Sequence, residues 1–311
     1  MNKPSARFVK PGEMLAIDTS AIRSGPEGFF WLFGGGVAAN ERREDVAIVH
    51  VRGALDHHAD SWEDNYESIL QRVRDAMSGA DTLSAHKRKQ AEHEWRHRYE
   101  DGYQPLADIE AKPPAAVILC IDSPGGVVSG LNETVYAIQK MREETGVPLV
   151  AYVNEMAASA AYALCCACSQ VVAPPSAIVG SIGVISTMIS QAERNKREGF
   201  DVRLITSGAR KSDGHLHAPI TDEAEAAERS RVNKLAATFF RIASKARKIP
   251  VATIEGFQAA IYLGKDAERR KLVDEVASLD DVVLALSKAS ADGAETAGGN
   301  ETDRRAAHDS L

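Results

Sequence analysis

AAVILCIDSPGG, residues 115–126, is the stretch on which the fold turns. It is apolar almost without interruption as far as Asp122. A strand with one wet face would alternate apolar and polar residues, so an unbroken run of this length indicates a strand buried on both faces of a parallel sheet. The run ends at Pro124, Gly125 and Gly126. There the chain turns, and two glycines leave backbone N–H groups open to a ligand.

The same reading extends in both directions. Upstream, DVAIVHVRGAL (45–55) is β-branched and apolar and forms the first core strand. SWEDNYESILQRVRDAM (61–77) sets Trp62, Tyr66, Ile69, Leu70 and Val73 at helical spacing. Downstream, LNETVYAIQKMREET (131–145) is a helix and PLVAYVN (148–154) a strand. A small-residue helix follows in ASAAYALCCAC (158–168), then the strand QVVA, a turn at Pro174 and Pro175, and a loop and strand in GSIGVIS (180–186). TMISQAERNKREG (187–199) is expected to be helical, DVRLITSG (201–208) a strand, and TDEAEAAERSRVNKLAATFFRIASKARK (221–248) a long helix. In that helix Val232, Leu235, Phe239 and Ile242 share a face, and Asp222 and Glu223 favour its amino end. Strands alternating with helices imply an α/β fold, a largely parallel sheet with helical crossovers.

Three segments fall outside that pattern. Residues 1–44 mix Pro, Gly and charge without period and read as an arm. Residues 78–114 are dense in charge and poor in apolar side chains, a solvated helical insertion. Residues 289–311 lack large apolar residues and read as a disordered tail, which leaves 45–288 as the domain.

Composition excludes some functions. The chain has 311 residues, 37 Lys and Arg against 44 Asp and Glu, and a formal net charge of −7, so no general attraction to nucleic acid is expected. The first apolar run, FFWLFGGGVAA (29–39), is too short and glycine-rich to span a bilayer, so no membrane anchor and a cytoplasmic location are expected. Cys165, Cys166 and Cys168 in LCCAC lack the paired spacing of a zinc site and read, with Cys120, as buried reduced thiols.

The insertion contains HEWRH (93–97), the pattern in which two histidines one turn apart bind zinc beside a glutamate base. A catalytic zinc needs a third ligand and a dry cavity. Only Trp95 is strongly apolar around His93 and His97, and no third ligand suggests itself, so no metal and no cofactor are expected.

Ser159 carries a better-supported chemistry. In NEMAASAAYAL (154–164) it stands where a strand gives way to a small-residue helix, a junction suited to a nucleophile. The DSPGG turn offers N–H donors for an oxyanion. SGARKSDG (207–214) places Lys211 in a glycine-flanked loop.

The order DSPGG, AASAAY, GSIGV, SGARKS, closing with YLGKDAERRKLVDEVASLDDVVLAL (262–286), resembles the signal peptide peptidase A family of serine–lysine proteases, including its phage head-maturation branch. That resemblance implies a ClpP/crotonase-like spiral of repeated β-β-α units. It also implies Ser159 as nucleophile, Lys211 as general base, Gly125 and Gly126 as oxyanion donors, and Ser181 as a support that orients the lysine. An ordinary lysine, with a pKa of about 10.4, is neutral in only about one molecule in 2,500 at pH 7, so the base must be desolvated or held near positive charge such as Arg210. The sequence departs from the family in several places. Ala160 and Ala161 follow the serine where Gly is frequent, 78–114 is long, the anchor helix of membrane-bound members is missing, and RRK (269–271) replaces a common glycine.

The implied function is a serine endopeptidase working through an acyl-enzyme, a phage or prophage capsid maturation protease acting on scaffold, portal or capsid proteins. Its partners are polypeptide substrates and copies of itself, in the host cytoplasm or the prohead. A cytosolic peptidase trimming membrane-derived peptides is the alternative. Others are a ClpP-like triad using His215 or His217, a zinc protease, a non-proteolytic crotonase-like enzyme with a carboxylate base near DSPGG, and a silent assembly protein. Grooves of this kind bind an extended chain as an added strand, so small or apolar residues are expected beside the cut.

Overall fold

The structure is a computed structural model that describes residues 40–56, 64–82, 89 and 110–291, with the strand backbones at 14–17, 23–24 and 30–31. The HEWRH motif, most of the 78–114 insertion and the tail beyond residue 291 lie outside the described residues.

Three strands, β1 (Met14–Ile17), β2 (Arg23–Ser24) and β3 (Phe30–Trp31), precede β4 (Glu41–Arg43) and β5 (Val46–Arg52). β4 pairs antiparallel with β5, so the main sheet begins at Glu41. Helix α1 (Tyr66–Ser78) is capped by Asn65, whose side-chain oxygen accepts the Ser68 N–H at 2.8 Å. The deciding stretch becomes β6 (Ala116–Ser123) and β7 (Gly125–Val127), followed by α2 (Leu131–Thr145) between Gly130 and Gly146. β6, β7 and α2 form one complete strand–strand–helix unit.

Next come β8 (Leu149–Ala158), α3 (Ala160–Cys165), β9 (Gln170–Ala173), β10 (Ile178–Gly180) and β11 (Ile185–Ser186). The chain continues through α4 (Ala192–Arg197), α5 (Asp222–Arg247), α6 (Val251–Gly256), β12 (Ile261–Leu263), α7 (Gly264–Arg269) and β13 (Glu275–Val276), and closes with a helix over 279–291, α8.

The sheet runs β12-β10-β8-β6-β5-β4, with β9 off β8 and β13 off β9. β5, β6, β8 and β10 are mutually parallel, and the outer partners β4 and β12 are antiparallel. Both faces of β6 are covered, as its unbroken apolar run requires. Leu119 and Ile121 pack on one side with α1, α2 and α3, while Ile118 and Cys120 pack on the other with Val282 and Val283 of α8. Each such burial is worth about 1.5–3 kcal/mol.

β8 changes partner along its length, and this positions the site. Val150 to Tyr152 pair with β9, and Met156 to Ala158 pair with β10. On its other side the register against β6 shifts between Ile121 and Ser123, bringing Ser123 opposite Ala157.

Three expected elements differ. DVRLITSG forms no strand among the described residues, and Val202, Leu204 and Ile205 are exposed. β-branched residues favour a strand only when an edge receives them, and none does here. The helix over 187–199 is reduced to α4, because Gln191 N–H donates to the Leu216 carbonyl at 2.6 Å and Ser190 Oγ to the Ala218 carbonyl at 2.6 Å. The small-residue helix shrinks to α3, since Ala158 still belongs to β8 and Cys166 to Cys168 form turns.

Candidate active site

Ser159 is the single residue between β8 and α3. Its backbone sits at φ 54°, ψ −122°, a conformation that favours glycine and costs any other residue about 1–3 kcal/mol. The surroundings hold it there. Its N–H donates to the Gly180 carbonyl at 2.8 Å, extending the β8–β10 ladder by one residue. Gly180 has φ 130°, and a Cβ there would stand 2.5 Å from the Ala260 carbonyl oxygen.

α3 is locked from behind. Tyr162, one turn after Ser159, donates its buried hydroxyl to the Leu272 carbonyl at 2.9 Å. Arg247 grips Asp274 through two contacts of 2.8 Å and the Lys271 carbonyl at 2.9 Å, and Asp274 also accepts the Val171 N–H at 2.8 Å. The KLVD part of the closing segment is therefore the back wall of the helix that follows Ser159. Burial pushes the Cys166 thiol up to about 12 and raises Cys165 and Cys168 as well, so these cysteines are packing groups.

Ser159 is 1% exposed, and its Oγ donates weakly to the Gly183 carbonyl at 3.4 Å. β7 packs against α3 on the same side. The Gly125 N–H is engaged by the buried Ser123 hydroxyl at 3.2 Å. Leu55 takes the Gly125 carbonyl at 2.9 Å and the Val127 N–H at 2.8 Å, so the N–H and carbonyl of Gly126 face the opposite side of β7, where Ala16 of β1 stands opposite Gly126. Ala160 N–H, the first amide after the serine, has no partner among the described residues. Gly126 and Ala160 are thus the amides that could serve as oxyanion donors. Sequence reasoning missed Ala160 because a backbone amide leaves no mark on residue type; only the rule that the amide after a nucleophile often serves could have pointed to it.

Ser181 lies half-buried just past β10, its N–H donating to the Ala260 carbonyl at 3.0 Å. Lys211 lies in a short 3₁₀ turn, Ala209–Ser212, exposed, and its ammonium has no partner among the described residues. The chain therefore gathers Ser159, Gly125, Gly126 and Ser181 at one end of the sheet and leaves Lys211 in solvent. Neighbouring Arg210 is paired with Asp213.

The histidines of the triad alternative have other partners. His217 Nδ1 meets Asn195 Nδ2 at 2.8 Å, and His215 Nδ1 accepts the His217 N–H at 3.2 Å. Asp122, the carboxylate nearest the glycine turn, follows Ile118 and Cys120 onto the sheet face opposite α3; burial, then Glu155, raises its pKa. Among the described residues no cluster of metal-ligating side chains occurs, and no helix is long and apolar enough to cross a membrane.

Comparison with known proteins converges on the same segments. Residues 141–292 match Peptidase family S49. The chain is 30% identical over 186 residues to head-tail preconnector protein GP5 of Enterobacteria phage P21, covering 60% of this chain and 36% of that protein. It is 28% identical over 173 residues to capsid assembly protease C of Escherichia phage lambda, covering 56% and 39%. The chain thus spans well under half the length of these two relatives. Among solved structures, a ClpP1 point mutant from Listeria monocytogenes aligns at a TM-score of 0.39 and 12% identity, covering 75% of this chain and 92% of that one. Residues 141–292, just under half of the chain, thus carry a Peptidase family S49 domain.

Proposed function

We propose that the chain is a serine endopeptidase with Ser159 as nucleophile and Lys211 as general base. The observation that carries this is the strained junction at Ser159, held beside the unpaired Ala160 amide and the outward-facing Gly126 amide. Strain of this kind persists at a site the surroundings over-determine for function. Ser159 Oγ attacks the carbonyl carbon as the lysine takes its proton, and the oxyanion is met by the Gly126 and Ala160 amides. The lysine then protonates the departing amine. Water, deprotonated in turn by the lysine, releases the acyl group as a carboxylate.

Lys211 must leave water to act as a base. In the sequence on either side of it Phe200, Val202, Leu204, Ile205, Ile189 and Ile220 are all exposed, more large apolar side chains than one chain commonly leaves in water. Copies associating through this face bury the surface and strip solvent from Lys211, which favours its neutral form. The active unit in this reading is a homo-oligomer.

The substrate is an extended polypeptide added as a strand beside β7. A cavity of about 670 Å³ opens there, lined mainly by apolar groups including Val127, Val184, Leu235, Phe239 and Ile242, and it suits an apolar side chain. Given relatives named for capsid assembly and a head-tail preconnector, the substrates are scaffold, portal or capsid polypeptides.

The test is cleavage of an unfolded protein by the wild type, Ser159→Ala and Lys211→Ala, with and without a metal chelator. Both variants are expected to be inactive, and chelation without effect. Activity that survives Ser159→Ala, or that vanishes with the chelator, overturns the reading.

A further inference from the structure

We infer that this chain carries its own substrate strand, and that the Ala16–Ile17 peptide bond is a self-cleavage site. The inference rests on the serine-peptidase reading above and adds to it an occupant, a direction and a register.

The three-stranded sheet β11-β1-β7 places β1 between the two strands that border the nucleophile. β1 is antiparallel to both. Leu15, Ala16 and Ile17 stand opposite Val127, Gly126 and Gly125, while Met14 and Leu15 stand opposite Ser186 and Ile185. The open side of the glycine turn therefore receives a segment of the same chain.

Two separate registers fix which bond lies at the serine. On the β7 side, Leu55 uses the Gly125 carbonyl and the Val127 N–H, so the groups of Gly126 face β1. The residue opposite Gly126 is Ala16, and in an antiparallel ladder such a pair exchanges both bonds, which puts the Ala16 carbonyl on the Gly126 amide. On the β11 side, stepping back two residues from the Leu15–Ile185 pair sets Gly183 opposite Ile17. Gly183 is the residue whose carbonyl receives the Ser159 hydroxyl. Both sides thus place the carbonyl of residue 16 at the candidate oxyanion donor and residue 17 beside the nucleophile. A slip of one residue would turn the carbonyl to the wrong side.

The chemistry balances without a further reagent. Ser159 Oγ forms an ester with the Ala16 carbonyl carbon, the C–N bond to Ile17 breaks, and the serine proton passes by way of the base to the new Ile17 amine. Water then splits the ester, leaving a carboxylate on Ala16. The sequence at the bond, MLA before and I after, is apolar throughout with the small Ala16 at the cut, in keeping with the proposed preference for small or apolar residues. Once cut, the groove is released to other polypeptides.

The experiment incubates the full-length wild type and Ser159→Ala, following intact mass and amino-terminal sequence, with cleavage of an unfolded protein measured in the same samples. Expected are a wild-type product beginning at Ile17, a conversion rate unchanged on dilution as long as the oligomer stays assembled, and an intact Ser159→Ala chain. An unfolded protein cut by a wild type whose amino terminus stays intact sinks self-cleavage while leaving the peptidase reading standing. A cut at another bond of the arm, or the same cut in Ser159→Ala, also overturns the inference. A wild type that cleaves neither itself nor the unfolded protein overturns both.

Discussion

Ser159 combines a backbone that costs energy with a side chain that the packing does not need, and the two can be separated. Ser159→Ala removes the hydroxyl and keeps the strain at φ 54°, whereas Ser159→Gly removes both. The glycine variant should therefore melt above the alanine variant, by about 2 °C for a strain difference of about 1 kcal/mol, with both inactive. The opposite order in thermal melts would mean the junction is relaxed. Gly126 makes the complementary case. A Cβ there would lie 1.9 Å from the Leu55 carbonyl oxygen, a backbone atom that cannot swing aside. Gly126→Ala should cost about 3 kcal/mol in chemical denaturation and abolish cleavage, while Gly256→Ala, which meets open space, should stay within about 0.5 kcal/mol of wild type. Equal stability of the two variants would contradict the close approach. The strand-to-helix junction at Ser159 and the turn before the glycine pair were legible in the sequence because a small-residue run after a strand and a Pro-Gly-Gly stop are visible as residue types. The commitment of the Gly125 amide to Ser123 was not, since it depends on where a buried hydroxyl points.

α3 is only six residues long, too short to be stable on its own propensity, so its hold on Ser159 comes from the elements behind it. Tyr162→Phe deletes one hydroxyl and leaves the Leu272 carbonyl unsatisfied in a buried place, which should cost about 1–3 kcal/mol. Because the loosened element carries the proposed nucleophile, kcat should fall while KM holds, as measured on an unfolded substrate; a change in KM alone would place Tyr162 in binding rather than in support. The elements themselves were read with uneven success, for a physical reason. α2 matches its expected span because glycines flank it on both sides and its apolar positions face the core. The DVRLITSG strand failed because strand propensity describes a fit to a neighbour, and in a single chain that neighbour is missing. The 158–168 helix came out short because alanines suit the end of β8 as well as the start of α3.

At the scale of the molecule, the α/β architecture follows from one fact legible in the sequence: strands apolar on both faces need helices on both sides, and α1, α2 and α3 lie on one face with α8 on the other. What the sequence did not disclose is which apolar residues the chain leaves outside. Val202, Leu204 and Ile205 read as strand residues, yet all three are exposed, Ile205 at 97%, in the segment leading to Lys211. If that face joins copies of the chain, a charge placed at its centre should act on assembly and not on folding. Ile205→Asp touches nothing in the isolated chain, so its unfolding free energy should stay within about 0.5 kcal/mol of wild type. In the assembly it would bury an unpaired carboxylate among apolar side chains, at a cost of several kcal/mol. Light scattering on the eluted protein should then report a smaller species than wild type, and kcat/KM should fall at least about tenfold, since about 1.4 kcal/mol lost from assembly already shifts a population by that factor. Raising the protein concentration should restore part of the activity, because mass action favours the assembled form. A variant that keeps both mass and activity would remove this face as the interface and require another source for the desolvation of Lys211. A variant that loses activity at unchanged mass would instead place Ile205 in contact with substrate.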